Sequence, residues 1–276
     1  MKSRLFFLSA LTIISLTVFY SCNVNSGQHD NTGTVTPTES PAPATLSYSI
    51  INSFPHDTSS FTQGLAFYNG ELYEGTGDPG YIGKSKLMKV DLLTGKIFKQ
   101  IGLTKEYFGE GITILKDTIY QLTWKTKVVF VYTLKDFKKV KEFKIDTEGW
   151  GITHNGKNLI VSTGSGDLYF YDPSTFRLLT KSTVMEGGNQ TFNLNELEYI
   201  DGFVYANQWQ YPYILKIDPN AGKVVAKYDM TEMWKRIQTI DPDADVPNGI
   251  AYNPATKKIY VTGKLWPELY EIQLSQ

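Results

Sequence analysis

From residue 46 onward, short apolar runs alternate with turn residues. LAFYNGELYEGTG, KLMKVDLLTGKIFKQ, LYFYDPSTFRLL and ILKIDPNAGKVVAKY each read as strand, turn, strand. The pairs Asn69-Gly70, Thr94-Gly95, Asn155-Gly156 and Asp201-Gly202 supply hairpin-turn chemistry between them. The one predicted helix is short and lies near Thr231–Arg236.

The strand pairs recur. GLAFYNGELY, GITILKDTIY, GITHNGKNLI, ELEYIDGFVY and GIAYNPATKKIY start at residues 64, 111, 151, 196 and 249, spacings of 47, 40, 45 and 53. A period of about 40–50 residues with four strands per unit predicts a β-propeller. The fifth repeat has only three clear strands before the chain ends. The spare strand LSYSIINSF, residues 46–54, is expected to complete it as the outermost strand and remove an exposed sheet edge. The expected fold is all-β, a single five-bladed propeller over residues 46–276, closed by its N-terminal strand. A β-sandwich would not explain five registered repeats.

In a propeller the first strand of each blade faces the axis, so equivalent positions form rings. The residue before each aligned start is Gln63, Glu110, Trp150, Asn195 or Asn248. Four residues past the end of each second strand stand Gly77, Trp124, Gly164, Trp209 and Lys264. Antiparallel pairing brings the two rings together. Indole walls with a few convergent polar groups make a pocket. Glu110 is its only carboxylate, set between two glycines in FGEGIT. Beside indoles and poorly solvated, it should have a raised pKa suited to a general base. Lys264 or the amides could stabilise an oxyanion. Each residue also has a plainer reading: tryptophans as core filler, asparagines as turn residues, Gln63 on a strand-end amide, Lys264 at the surface and Glu110 as a cation ligand.

Composition narrows the function classes. A net charge of −1 over 276 residues gives no basic field for nucleic acid. His56 and His154, the histidines of the folded part, read as loop or turn residues, and no cysteine partners them at zinc spacing. No serine sits in a GxSxG elbow, and GTGDPG does not lead into a helix as a phosphate loop would. Asn189-Gln-Thr191 fits a glycosylation sequon whose modification is not expected, and Glu74 reads as a turn or supporting residue.

The N-terminus reads separately. Met1–Arg4 is basic, an apolar run follows to Tyr20, and Cys22 is the only cysteine in the chain. Residues 1–21 read as a lipoprotein-type signal peptide with Cys22 as the lipidation site, although Phe19 stands where Leu is usual. A plain signal peptide and an uncleaved anchor are the alternatives. Residues 22–45, rich in Ser, Thr, Asn, Gly and Pro, read as a disordered tether. The expected location is extracytoplasmic, membrane-anchored through lipid alone.

Eight short motifs in order carry a family resemblance: FTQGL, YEGTG, FGEGIT, EGWGI, LNELEYI, ANQWQ, PNGIAY and VTGKLWPELYEI. They resemble the glutaminyl-peptide cyclotransferases of the plant and bacterial type, from about residue 53 to 274. The resemblance implies a five-bladed propeller that cyclises the N-terminal glutamine of peptides or proteins to pyroglutamate and releases ammonia. It places the essential acid on Glu110. Supporting residues fall on Gln63, Trp124, Trp150, Asn195, Trp209 and Lys264. Gly75 and the Tyr211-Pro212 pair depart from the plant pattern without touching these groups. The chemistry requires no cofactor, a structural Ca²⁺ in the channel is compatible with it, and the protein is expected to be a monomer. Two rival readings are a lactonase-like metal-dependent propeller hydrolase, with Glu110, Asn195 and Asn248 as oxygen ligands, and a non-catalytic surface propeller binding peptide or glycan.

Overall fold

The computed structural model describes residues 41–275. The signal peptide, Cys22 and most of the predicted tether lie outside the described residues. The fold is all-β and of the propeller class, with one α-helix, α1 (Thr231–Ile240), among the described residues.

The strands form five sheets. The first runs Thr62–Tyr68, Glu71–Thr76, Lys86–Val90 and Ile97–Gly102, and the second Gly109–Leu115, Thr118–Thr123, Val128–Thr133 and Lys139–Lys144. The third has shorter leading strands, Ile152–His154 and Leu159–Val161, followed by Asp167–Tyr171 and Leu178–Thr183. The fourth is built on Leu194–Ile200, Phe203–Gln208, Tyr213–Asp218 and Lys223–Asp229. In the fifth, Pro247–Asn253, Lys258–Gly263 and Glu268–Leu274 are joined by Tyr48–Pro55, which pairs antiparallel with Glu268–Leu274. The leading strands pack on one another from sheet to sheet, and the fifth returns to the first.

Burial follows position in the sheet. The leading strand Gly109–Leu115 is buried throughout, while the outer strand Lys139–Lys144 is almost wholly exposed. Between neighbouring sheets, side chains such as Leu87, Ile112 and Ile119 of one cluster and Leu122, Ile152 and Val161 of the next fill the core. Apolar area removed from water at about 25 cal/mol per Å² drives this stacking.

Two boundaries differ from the sequence reading. Ala44–Leu46 is a strand, pairing parallel with Lys223–Asp229. The tether boundary at residue 45 therefore falls inside the fold. Helix α1 runs past Arg236 because Met233 and Ile237 are both buried and prolong its inward face; Pro242 follows its end.

The start of four of the five leading strands is irregular, and that positions the site. The pairing register shifts between Thr62 and Gly64, Gly109 and Ile112, Leu194 and Leu197, and Pro247 and Ile250. These bulges contain Gln63, Glu110, Asn195 and Asn248. A bulge re-aims a side chain out of the strand's alternation.

The glycine after Glu110 serves close approach. A Cβ on Gly111 would stand 2.7 Å from the Trp150 carbonyl oxygen, which accepts the Gly111 N–H at 2.8 Å. Gly111→Ala is expected to cost about 1–3 kcal/mol and to lower Tm by about 5 °C. Thermal unfolding checks this, and an unchanged Tm would mean that the strands tolerate wider spacing. Glu196 fastens the leading strands from within the channel. Its carboxylate accepts the Leu65 N–H at 3.2 Å and the Ile250 N–H at 2.9 Å, joining the fourth sheet to the first and fifth. Burial pushes its pKa well above the carboxylate range, and the charge of Glu198 adds to that.

Candidate active site

One end of the channel opens into a cavity of about 300 Å³. Gln63, Glu110, Trp124, Trp150, Asn195, Trp209 and Lys264 all line it, together with Phe61, Pro79, Tyr81, Phe108 and Asp245. Seven of the eight non-glycine residues of the two rings therefore converge.

A repeated backbone bond explains the convergence. The Gly77 N–H donates to Phe61 O at 2.8 Å, Trp124 N–H to Phe108 O at 3.1 Å, Trp209 N–H to Asn193 O at 2.8 Å and Lys264 N–H to Val246 O at 3.1 Å. Each bond ties the residue after a second strand to the carbonyl two positions before a bulge residue. Only the third sheet departs: Trp150 N–H donates to Ser162 O at 3.0 Å, and Gly164 N–H crosses to Leu194 O at 3.1 Å.

Asn248 is the exception among the selected residues. It is fully buried beneath the cavity, not in its wall. Its Nδ2 donates to Thr62 O at 2.9 Å and to Gln63 Oε1 at 3.1 Å. Its NH₂ group is thus spent on holding Thr62 and Gln63, while its Oδ1 is buried with no hydrogen-bond partner among the described residues. Among the described residues, no cluster of three or more His, Cys, Asp or Glu is placed to hold a metal ion. With its oxygen engaged, Gln63 keeps its NH₂ as a donor for the cavity.

Glu110 is 4% exposed, and no donor among the described residues reaches its carboxylate by hydrogen bond or direct ion pair. Burial raises its pKa well above the carboxylate range, and the charge of Glu148 raises it further. The Lys264 ammonium opposes them, acting across the cavity. Lys264 is itself 4% exposed, with Nζ 4.7 Å from the centre of the Phe61 ring. Burial lowers its pKa, against the charges of Glu110 and Asp245. Asn195 is buried with Oδ1 unpartnered, an acceptor left for a ligand N–H.

The aromatic wall is a linked set. Phe108 meets Trp124 edge-on at 5.5 Å and Phe61 at 6.2 Å, and Trp150 meets Trp209 at 5.4 Å with their planes at 90°. Glu148 Oε2 accepts Trp124 Nε1 at 2.7 Å and Trp150 Nε1 at 3.2 Å, so one carboxylate fixes two indoles. The register selection missed Phe61, Phe108 and Glu148, although each stands two positions before a ring residue. Side chains two apart on a strand share a face, so the same alignment held the signal. His56, read as an ordinary loop residue, instead bridges two elements. It approaches Glu74 Oε1 at 3.2 Å and the Trp266 carbonyl at 2.7 Å. Burial opposes its protonation, but the charge and hydrogen bond of Glu74 and the Trp266 carbonyl together raise the pKa. Glu74, which also accepts the Thr62 hydroxyl at 2.7 Å, is a supporting residue one layer behind Gln63.

Comparison with known proteins agrees with this geometry. The profile of the glutamine cyclotransferase family matches residues 22–274. A glutaminyl-peptide cyclotransferase of Arabidopsis thaliana is 40% identical over 230 residues, covering 82% of this chain and 71% of the plant protein. The crystal structure of Myxococcus xanthus glutaminyl cyclase superposes with a TM-score of 0.78 at 33% identity, covering 84% of this chain and 98% of that one.

Proposed function

The chain belongs to the glutamine cyclotransferase family, and from that premise we infer that it is a glutaminyl-peptide cyclotransferase with Glu110 as its proton-transfer group. The observation that carries the role is a buried carboxylate, free of donors among the described residues, among three indoles and a lysine. Substrates are peptides or proteins with N-terminal glutamine.

The substrate carries both reacting groups, so the site's first task is to fold it. The indoles clamp the glutaminyl stem and bring the α-amine to the side-chain amide carbon. Attack forms the new C–N bond and places negative charge on the amide oxygen. Lys264 Nζ and the Gln63 NH₂ stabilise that oxyanion, and Asn195 Oδ1 accepts an N–H of the α-amine. Glu110 takes a proton from the attacking nitrogen and returns it to the departing one. Ammonia leaves as the C–N bond breaks, and the five-membered lactam remains. One carboxylate serves as base and then acid, and a pKa raised above the usual carboxylate range suits both. No step draws on a metal or other cofactor.

The test is incubation of residues 41–276 with a glutamine-initiated peptide, following ammonia release and the matching mass loss. Absence of turnover would overturn the assignment. Glu148→Ala frees two indole N–H groups and should raise KM about tenfold while changing kcat less; steady-state kinetics on the same peptide checks it.

The five sheets, their cyclic packing and the pairing of Tyr48–Pro55 with Glu268–Leu274 support a five-bladed ring closed by its N-terminal strand. We propose further that Cys22 carries a lipid and that a tether holds a monomeric propeller outside the cytoplasm. The support is the sequence of residues 1–40; no helix among the described residues is long and apolar enough to cross a membrane.

A further inference from the structure

The cavity is small for a peptide. At about 300 Å³ it lies at the low end of ligand pockets, roughly 300–1,000 Å³. It suits one glutaminyl residue and the first peptide bond, so the second residue must rest on the rim. One rim segment is built unlike a solvent loop.

Between the second and third strands of the first sheet, buried Asp78 gathers the loop beneath it. Its Oδ2 accepts the N–H groups of Ile82 at 2.7 Å, Gly83 at 2.7 Å and Lys84 at 2.9 Å. Farther along, the Ser85 hydroxyl accepts the N–H of Gly109, the residue before Glu110, at 3.0 Å. Tyr81 is held at φ 50°, a left-handed backbone uncommon for an aromatic residue. Such a conformation persists only where surrounding structure imposes it, and it clusters at ligand sites. The outcome is a tyrosine whose ring meets Phe108 at 5.7 Å and lines the cavity, yet is 40% exposed. Ile82 beside it is 66% exposed.

We propose that Tyr81 and Ile82 form the subsite for the second residue of the substrate peptide and select an apolar or aromatic side chain there. This rests on the cyclotransferase reading. The ledge continues the cavity wall outward through Tyr81 itself. The groove around Phe192 and Tyr211 is lined by a separate set of residues. Charge adds a second preference. Glu110, Glu148 and Asp78 lie close enough for their charges to bear on the Tyr81 hydroxyl, which adds to the solvation that an acidic second residue loses on an apolar ledge.

The test compares kcat/KM for Gln-Phe-amide, Gln-Gly-amide and Gln-Asp-amide. The wild type should favour Gln-Phe over Gln-Gly by about tenfold, with Gln-Asp lowest. Tyr81→Asn removes the ring but keeps a residue that tolerates the left-handed backbone. It should reduce the Phe-to-Gly ratio to about twofold, mainly through KM. Ile82→Ser alters only an exposed side chain and should reduce the ratio in the same direction. A wild type without preference, or variants that lower all three substrates in proportion, would overturn the subsite while leaving the activity standing. A wild type inactive on every peptide would overturn both.

Discussion

Glu110→Gln is expected to reduce kcat about a thousandfold with the propeller intact. General acid–base catalysis typically contributes 10²–10⁴. This carboxylate acts twice per cycle, so the loss lies well above the lower end of that range. The substitution keeps the side chain's shape and removes only its ability to take a proton. It also removes a charge that no described protein group solvates by hydrogen bond, so the fold has little to lose. Ammonia release and thermal unfolding on the same preparation check both halves. Turnover within tenfold of the wild type would place the proton transfer elsewhere. A collapsed Tm would make Glu110 structural.

The repeat register exposed the site because the site is a property of the repeats. Gln63, Glu110 and Asn195 occupy equivalent bulges, and Trp124, Trp209 and Lys264 follow equivalent strands. Such positions stand out in sequence because a polar residue or tryptophan appears where a strand end needs neither. Phe61 and Phe108 did not stand out, since an aromatic residue beside a strand looks like core whether it faces core or cavity. Asn248 shared the register but not the role. Its donors go to Thr62 O and Gln63 Oε1, and only coordinates reveal which partner a buried amide takes. Nothing in the sequence singles out Glu196, whose bonds run to two other sheets. Strand Ala44–Leu46 was hidden for a related reason. Parallel pairing through backbone groups leaves no mark on a segment composed like a tether. The His56–Glu74 contact joins residues 18 positions apart through a fold neither segment encodes alone.

Lys264→Met should lower kcat about 10²–10³-fold, the loss typical of removing one oxyanion donor. Methionine preserves the apolar packing against Phe61 and takes away the ammonium. The same change carries a signature in pH. The Lys264 charge favours the ionised form of Glu110 and holds its pKa below what burial alone would set. Without that charge the Glu110 pKa must rise further. The base form is then depleted at a given pH, so the acidic limb of the kcat profile moves to higher pH. The limb belongs to kcat because that quantity reports groups in the bound complex. A free peptide amine, titrating at about 7.7–8.0, contributes to kcat/KM in wild type and variant alike. The experiment therefore records kcat against pH for both proteins on one peptide. A fall in kcat with an unmoved limb would leave Lys264 as an oxyanion donor that does not tune the base. A limb displaced to lower pH would mean that a group other than Glu110 controls it.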